Sequence, residues 1–232
     1  MPDTTQFTTR LGEWLMPPRC VVCGGRGNNR DLCRHCAVEL PWNLPCCLRC
    51  ALPLATGGLC GECAVRPPLW HRAHAPLRYE FPVDSLLRQL KFQRRLAHGR
   101  VLGELLAQWV ASFDDALPEL IVPTPLHWRR QLLRRFNQAD EIARPLQRQL
   151  DVPVVAACSR RIATPPQRGL KAAQRRRNLR HAFAVRQPVR GRHVALVDDI
   201  FTTGATLAEL TRVLLRAGAA RVDVWTIARV AK

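Results

Sequence analysis

Beyond Pro67-Pro68 the chain alternates two apolar periods. Val194 to Val197 is a short apolar run with β-branched ends, the pattern of a strand buried on both faces. Leu207, Leu210, Leu214 and Leu215 follow at helical spacing, and Arg221 to Val230 reads as a final strand. Earlier, Tyr79 to Phe81 reads as a short strand. Leu86, Leu87 and Leu90 predict a helix that Asp84 can cap. From about His98, Leu102, Leu105, Leu106, Trp109 and Phe113 line one side of a second helix. Ile121-Val122 reads as a buried strand. Asn137 can cap a helix through Ile142, Leu146 and Leu150, which Pro145 should kink or tighten. Val152 to Ala156 reads as another strand. Strands alternating with helices predict a parallel α/β sheet, whose ligands bind at the carboxyl ends of the strands.

The run at 194–197 leads into two carboxylates, Asp198 and Asp199, and then into Thr202-Thr203-Gly204-Ala205-Thr206 at a helix start. The first amides of a helix lack intrahelical partners and carry the positive end of its dipole, so they can bind a phosphate. Gly204 allows close backbone approach, and the threonine hydroxyls add donors. Adjacent carboxylates one step earlier can accept hydrogen bonds from vicinal hydroxyls. The stretch therefore suits a sugar carrying a 5′-phosphate. It resembles the phosphoribosyl-pyrophosphate (PRPP) loop of type I phosphoribosyltransferases.

The first 66 residues follow no such pattern. Cys20-x2-Cys23 precedes Cys33-x2-Cys36, and Cys47-x2-Cys50 precedes Cys60-x2-Cys63. Thiolates two residues apart in a turn can hold one metal ion, and two such turns complete a tetrahedral Zn2+ site. The sequence predicts two zinc ribbons in series, with Cys46 and His35 as bystanders; a cross-braced pairing or a single occupied site fits the same spacing. Cys158 reads as a buried thiol. His71 and His74 have no ligand spacing to the cysteines and read as surface or packing residues. Leu11, Trp14 and Leu15 suggest a short amphipathic helix ended by Pro17-Pro18. The expected division is 1–66, a double zinc ribbon with that short helix, and 67–232, a phosphoribosyltransferase-like domain.

Charge narrows the partners. The chain carries 36 basic and 18 acidic residues, a formal charge of +18. Its lysines are Lys91, Lys171 and Lys232, so the excess is almost all arginine, which grips phosphate with two prongs. A polyanion is the expected partner: a pyrophosphate, a nucleotide or a nucleic acid. Aromatic residues make up only 6%, few for stacking along a single strand. No apolar run is long enough to span a membrane, and the first residues lack the apolar core of a signal peptide, so a cytoplasmic protein is expected. The basic stretch 160–183 lacks an apolar face and reads as a lid.

The whole pattern resembles the ComF family, which joins a zinc ribbon to a phosphoribosyltransferase domain. The resemblance takes in the cysteines, Leu90-Lys-Phe92, Val122-Pro-Thr-Pro-Leu-His127, Arg135-Phe-Asn-Gln138, Thr164-Pro-Pro-Gln167, Arg175, Asn178, Phe183 and the acidic loop. Arg135 stands where the family usually has glycine. The resemblance implies a type I phosphoribosyltransferase fold. It implies that Pro123, Thr124, Pro125, Leu126 and His127 hold pyrophosphate, and that residues 160–183 close over the sugar. Asp198 and Asp199 would hold the ribose hydroxyls, and Thr202 to Thr206 the 5′-phosphate. As a transferase the protein would use Mg2+ with PRPP, and Arg168, Lys171 and Arg175 would neutralise the leaving group. The resemblance further implies a role in DNA uptake and natural transformation, with single-stranded DNA and the uptake machinery as partners. The alternatives are a non-catalytic single-stranded-DNA-binding protein and a PRPP sensor.

Overall fold

The computed structural model describes residues 17–126, 136–161 and 182–231. The predicted helix before Pro17 lies outside them. The elements run α1 (Arg34–Val38), α2 (Gly61–Val65), β1 (Ala73–His74), β2 (Leu77–Arg78), α3 (Val83–Gln93), α4 (Leu96–Ala111), β3 (Leu120–Pro123), α5 (Gln138–Leu150), β4 (Cys158–Arg160), β5 (Phe183–Val185), β6 (His193–Phe201), α6 (Ala205–Arg216) and β7 (Arg221–Arg229). The main sheet is parallel, in the order β1-β7-β6-β3, with β2 also on β7 beyond β1. The architecture is a parallel sheet flanked by helices, as the alternation of strands and helices predicts.

Side-chain alternation divides the core between the faces of the sheet. Ala195, Val197, Trp225 and Ile227 pack with α3, α4 and α5. Val194, Leu196, Val222 and Val224 pack with α6. The parity reverses further along β6, where Ile200 packs against the first core and Phe201 lies in the second. Asp198 and Asp199 occupy the change of parity. The strand does not stop at Val197, as the apolar run suggests, but continues through both acids to Phe201.

Several local expectations shift. The short strand is Leu77–Arg78, two residues before the predicted one, because its pairing with Ala228 and Arg229 fixes its place. Asp84 does not cap α3; it lies in the first turn, where its Oδ1 accepts from the Ser85 amide at 2.6 Å. Asn137 caps α5 as predicted, accepting from the Ala139 amide. Pro145 stays within α5. Instead of a strand over 152–156 there is one bridge, Val154 to Ile121, before the β4–β5 hairpin.

The amino ends of β6 and β7 are held by the buried Asp223. It accepts from the Arg72 amide (3.2 Å), Arg221 Nη2 (2.9 Å) and His193 Nε2 (2.8 Å). His74 is buried between Phe113 and Trp225, and burial brings its imidazole down to about 4. It is a neutral packing residue at physiological pH.

Helices α4 and α5 meet at Gly103. A Cβ there would lie 2.5 Å from the Ile142 carbonyl oxygen and 3.0 Å from the Pro145 ring. Gly103→Ala should therefore destabilise the protein by about 1–3 kcal/mol, measured by urea unfolding. A change within about 0.5 kcal/mol, typical of an ordinary surface substitution, would contradict this packing.

Candidate functional site

The site forms where β6 runs out toward α6. Phe201 ends the strand, Thr202 and Thr203 are exposed, and Gly204 starts the helix with φ 72°. Only glycine meets both demands of that position. The positive φ disfavours a side chain, and a Cβ would lie 2.7 Å from the Phe201 ring and 3.2 Å from Trp70. Asp198, Ile200 and residues 202–207 enclose a small pocket of about 50 Å³. The amino end of α6, its threonine hydroxyls and a carboxyl group thus share one concavity.

The acid pair is unevenly compensated. Lys91, in the last turn of α3, places Nζ 3.2 Å from Asp199 Oδ2. Asp198 Oδ1 accepts from the Asp199 amide at 2.9 Å. Burial, then the neighbouring Asp199 charge, push the Asp198 carboxyl up to about 7; that amide and Lys91 pull the other way. Near neutral pH Asp198 is therefore poised between acid and carboxylate.

The Pro123–Leu126 segment lies beside this pair. Pro123 pairs with Val197 across β3 and β6, and the Thr124 amide donates to the Val197 carbonyl at 2.8 Å. Asn137 Nδ2 donates to the Thr124 carbonyl at 3.1 Å, tying the segment to the start of α5. The Thr124 hydroxyl is buried and has no hydrogen-bond partner among the described residues, so it retains bonding capacity for a ligand. Pro125 and Leu126 are half-buried. His127, Arg168, Lys171 and Arg175 lie outside the described residues.

The cysteines form two separate tetrads, Cys20/Cys23/Cys33/Cys36 and Cys47/Cys50/Cys60/Cys63, with all Sγ atoms of each within 4.8 Å of one another. A tetrahedral zinc with about 2.3 Å bonds needs sulfurs about 3.8 Å apart. Cys23 and Cys33 are at 3.9 Å and Cys50 and Cys60 at 3.6 Å. Both groups fit structural zinc, with the serial pairing rather than the cross-braced one. Burial opposes ionisation of Cys20, but the amides of Cys23, Cys33 and Val22 outweigh it and bring the thiol down to about 6. Similarly, the amides of Cys60, Cys50 and Arg49 overcome burial at Cys47 and bring it down to about 7. Cys46 and His35 stand outside the tetrads, and His35 pairs with Glu39. Cys158 is buried, which raises its thiol to about 12.

Two residues escape a motif-based reading. Arg229, 3% exposed, reaches the Phe201–Thr206 loop from the end of β7. Its Nη1 donates to the carbonyls of Phe201 (3.0 Å) and Thr202 (2.8 Å), and its guanidinium lies 4.4 Å from the Phe201 ring centre. Trp70 packs edge-on to the same ring at 5.6 Å. An arginine in the apolar stretch Val224 to Val230 was the available signal.

Residues 11–64 match the double zinc ribbon domain family. DNA utilization protein YhgH of Salmonella typhimurium is 40% identical over 204 residues, covering 85% of this chain and 90% of that protein. Competence protein F of Haemophilus influenzae is 36% identical over 224 residues, covering 91% and 96%. Among solved structures, a purine phosphoribosyltransferase from Pyrococcus horikoshii Ot3 aligns over 56% of this chain and 82% of its own, with 15% identity and a TM-score of 0.35.

The charge arrangement gives a direct test. Asp199→Asn should lower the Asp198 pKa, because it removes a neighbouring negative charge, and Lys91→Met should raise it. Carboxyl-carbon NMR titration reads both directions. The two complete tetrads also require two zinc ions per chain by elemental analysis; a single equivalent in the freshly purified protein would contradict them.

Proposed function

The chain belongs to the ComF family, and from that membership we propose that it binds PRPP, or a nucleotide carrying ribose 5-phosphate, in the handling of incoming DNA. One observation carries the reading: Asp198 of the acid pair and a threonine-glycine helix start share one pocket at the carboxyl end of the central strand, with Asp199 adjacent in sequence. The 5′-phosphate sits against the loop amides and the Thr202, Thr203 and Thr206 hydroxyls. Asp198 and Asp199 accept from the ribose hydroxyls. The neighbouring Pro123-Thr124-Pro125-Leu126-His127 loop receives the pyrophosphate, with the unpartnered Thr124 hydroxyl as one donor.

In a transfer reaction the bond from ribose C1 to the pyrophosphate oxygen breaks, and an acceptor atom forms the new bond at C1. Lys91 pairs with Asp199 and fixes its carboxylate beside the sugar. Arg168, Lys171 and Arg175 would neutralise the departing pyrophosphate and help exclude water. The oxygen donors Asp198 and Asp199 suit Mg2+ together with substrate phosphates. That ion, when bound, offsets pyrophosphate charge. The residues 1–66 are assigned to the double zinc ribbon and 67–232 to the phosphoribosyltransferase-like domain.

A second activity has its own support. The formal charge of +18, nearly all arginine, suits single-stranded DNA as a partner of the same protein. The relatives' names speak of DNA utilization and competence, which suits a role in DNA uptake. No described helix is long and apolar enough to cross a membrane.

Calorimetric titration of PRPP with Mg2+ tests the ribose-phosphate reading. Asp198→Asn/Asp199→Asn should weaken binding at least about tenfold, or about 1.4 kcal/mol. Equal affinity in the double variant would reject the site. Asp198 must ionise to serve the ligand, and its value in the fold, about 7, lies above the ordinary carboxyl range. Affinity should therefore rise with pH through 7 and fall below it. A profile flat from pH 6 to about 8 would contradict that role for Asp198.

A further inference from the structure

The two cysteine tetrads are built into different parts of the protein. Cys20 and Cys36 of the first lie in the core shared by α3, α4 and α5. The second reaches the phosphate loop by two routes. Arg229 donates through Nε to the Cys50 carbonyl at 2.9 Å, while its Nη1 holds the Phe201 and Thr202 carbonyls. A single rigid guanidinium thus joins a metal-ligand turn to the turn before α6. Independently, Trp70 Nε1 donates to the Arg49 carbonyl, and Arg49 Nη1 returns a bond to the Trp70 carbonyl at 3.1 Å. The Trp70 ring then packs on Phe201 and close to Gly204.

The charges favour the same junction. Zinc held by four thiolates is a doubly negative group, and Arg229 is a buried cation against one of its ligand turns. Remove the metal, and the Cys47–Cys50 turn loses the constraint that sets its carbonyls. Arg229 and Trp70 then lose the fixed end of their bridge to residues 201–204.

We propose that the Cys47/Cys50/Cys60/Cys63 tetrad and the 201–206 loop form one coupled unit joined by Arg229 and Trp70, so that metal in this tetrad shapes the loop and a ligand in the loop retains the metal. Arg229 is a positioning residue in this scheme. The metal-to-loop direction stands on the geometry alone; the ligand-to-metal direction rests on the phosphate-site reading, and linkage makes the two reciprocal.

Hydrogen exchange of the 201–206 amides tests the first direction without any ligand. In the zinc-loaded full chain, Cys63→Ser should speed exchange there about tenfold or more, while amides 194–197 of the same strand stay protected. Cys36→Ser, which empties the first tetrad, should change the loop less than about twofold. Equal effects of the two variants, or an unchanged loop in Cys63→Ser, would overturn the proposal. Arg229→Lys keeps the charge but loses the fork, and serves where Cys63→Ser fails to fold. It should loosen the loop and speed release of one zinc equivalent to a chromogenic chelator; normal protection and release would overturn the proposal.

PRPP with Mg2+ should slow release of that one equivalent in the wild type and not in Arg229→Lys. If PRPP does not bind at all, the ribose-phosphate reading fails while the exchange result still decides the coupling. If it binds without altering release, the coupling fails and that reading stands.

Discussion

Two adjacent carboxylates on the central strand must be kept close without being driven apart or forced fully neutral. That constraint organises the carboxyl end of the sheet. Lys91 neutralises Asp199 from α3, and the Asp199 amide stabilises one Asp198 oxygen. Neither compensates Asp198 fully, so burial leaves it near the point of protonation. A structural acid pair gains nothing from this arrangement. It leaves Asp198 able to take further partners in the pocket that it lines.

The zinc ribbons are structural parts of the same molecule rather than appendages. The first tetrad lends Cys20 and Cys36 to the core beneath α4, while the second stands beside the loop before α6. Arg229 lies between the second tetrad and the site, buried in the protein. A buried arginine is stable there because its donors meet the backbone carbonyls of Cys50, Phe201, Thr202 and Val230 and its face meets the Phe201 ring.

Much of this was legible in the sequence, where local pattern and chemistry coincide. The serial cysteine spacing gave both tetrads, because a ligand pair two residues apart is set by the turn itself. The apolar run before Asp198 gave the central strand, and Leu207 to Leu215 gave α6. What could not be read locally depends on partners distant in sequence. The end of β6 lies beyond the expected one because acids in a strand look like its terminus; Asp198, Ile200 and Phe201 still pair with β7. The short strand Leu77–Arg78 owes its position to β7, some 150 residues on by the Leu77–Ala228 register. Lys91 lies in the Leu90-Lys-Phe92 segment that the resemblance takes in, but its partner Asp199, 108 residues on, is visible only in the fold. Arg229 looked like one of many arginines until its burial set it apart.

The most direct measurement of the central claim is a crystal structure of the zinc-loaded protein with PRPP and Mg2+. The account expects the 5′-phosphate on the amides of residues 202–206, with the ribose hydroxyls within hydrogen-bond distance of Asp198 and Asp199. Ligand density elsewhere on the protein, with this loop and acid pair left empty, would contradict it.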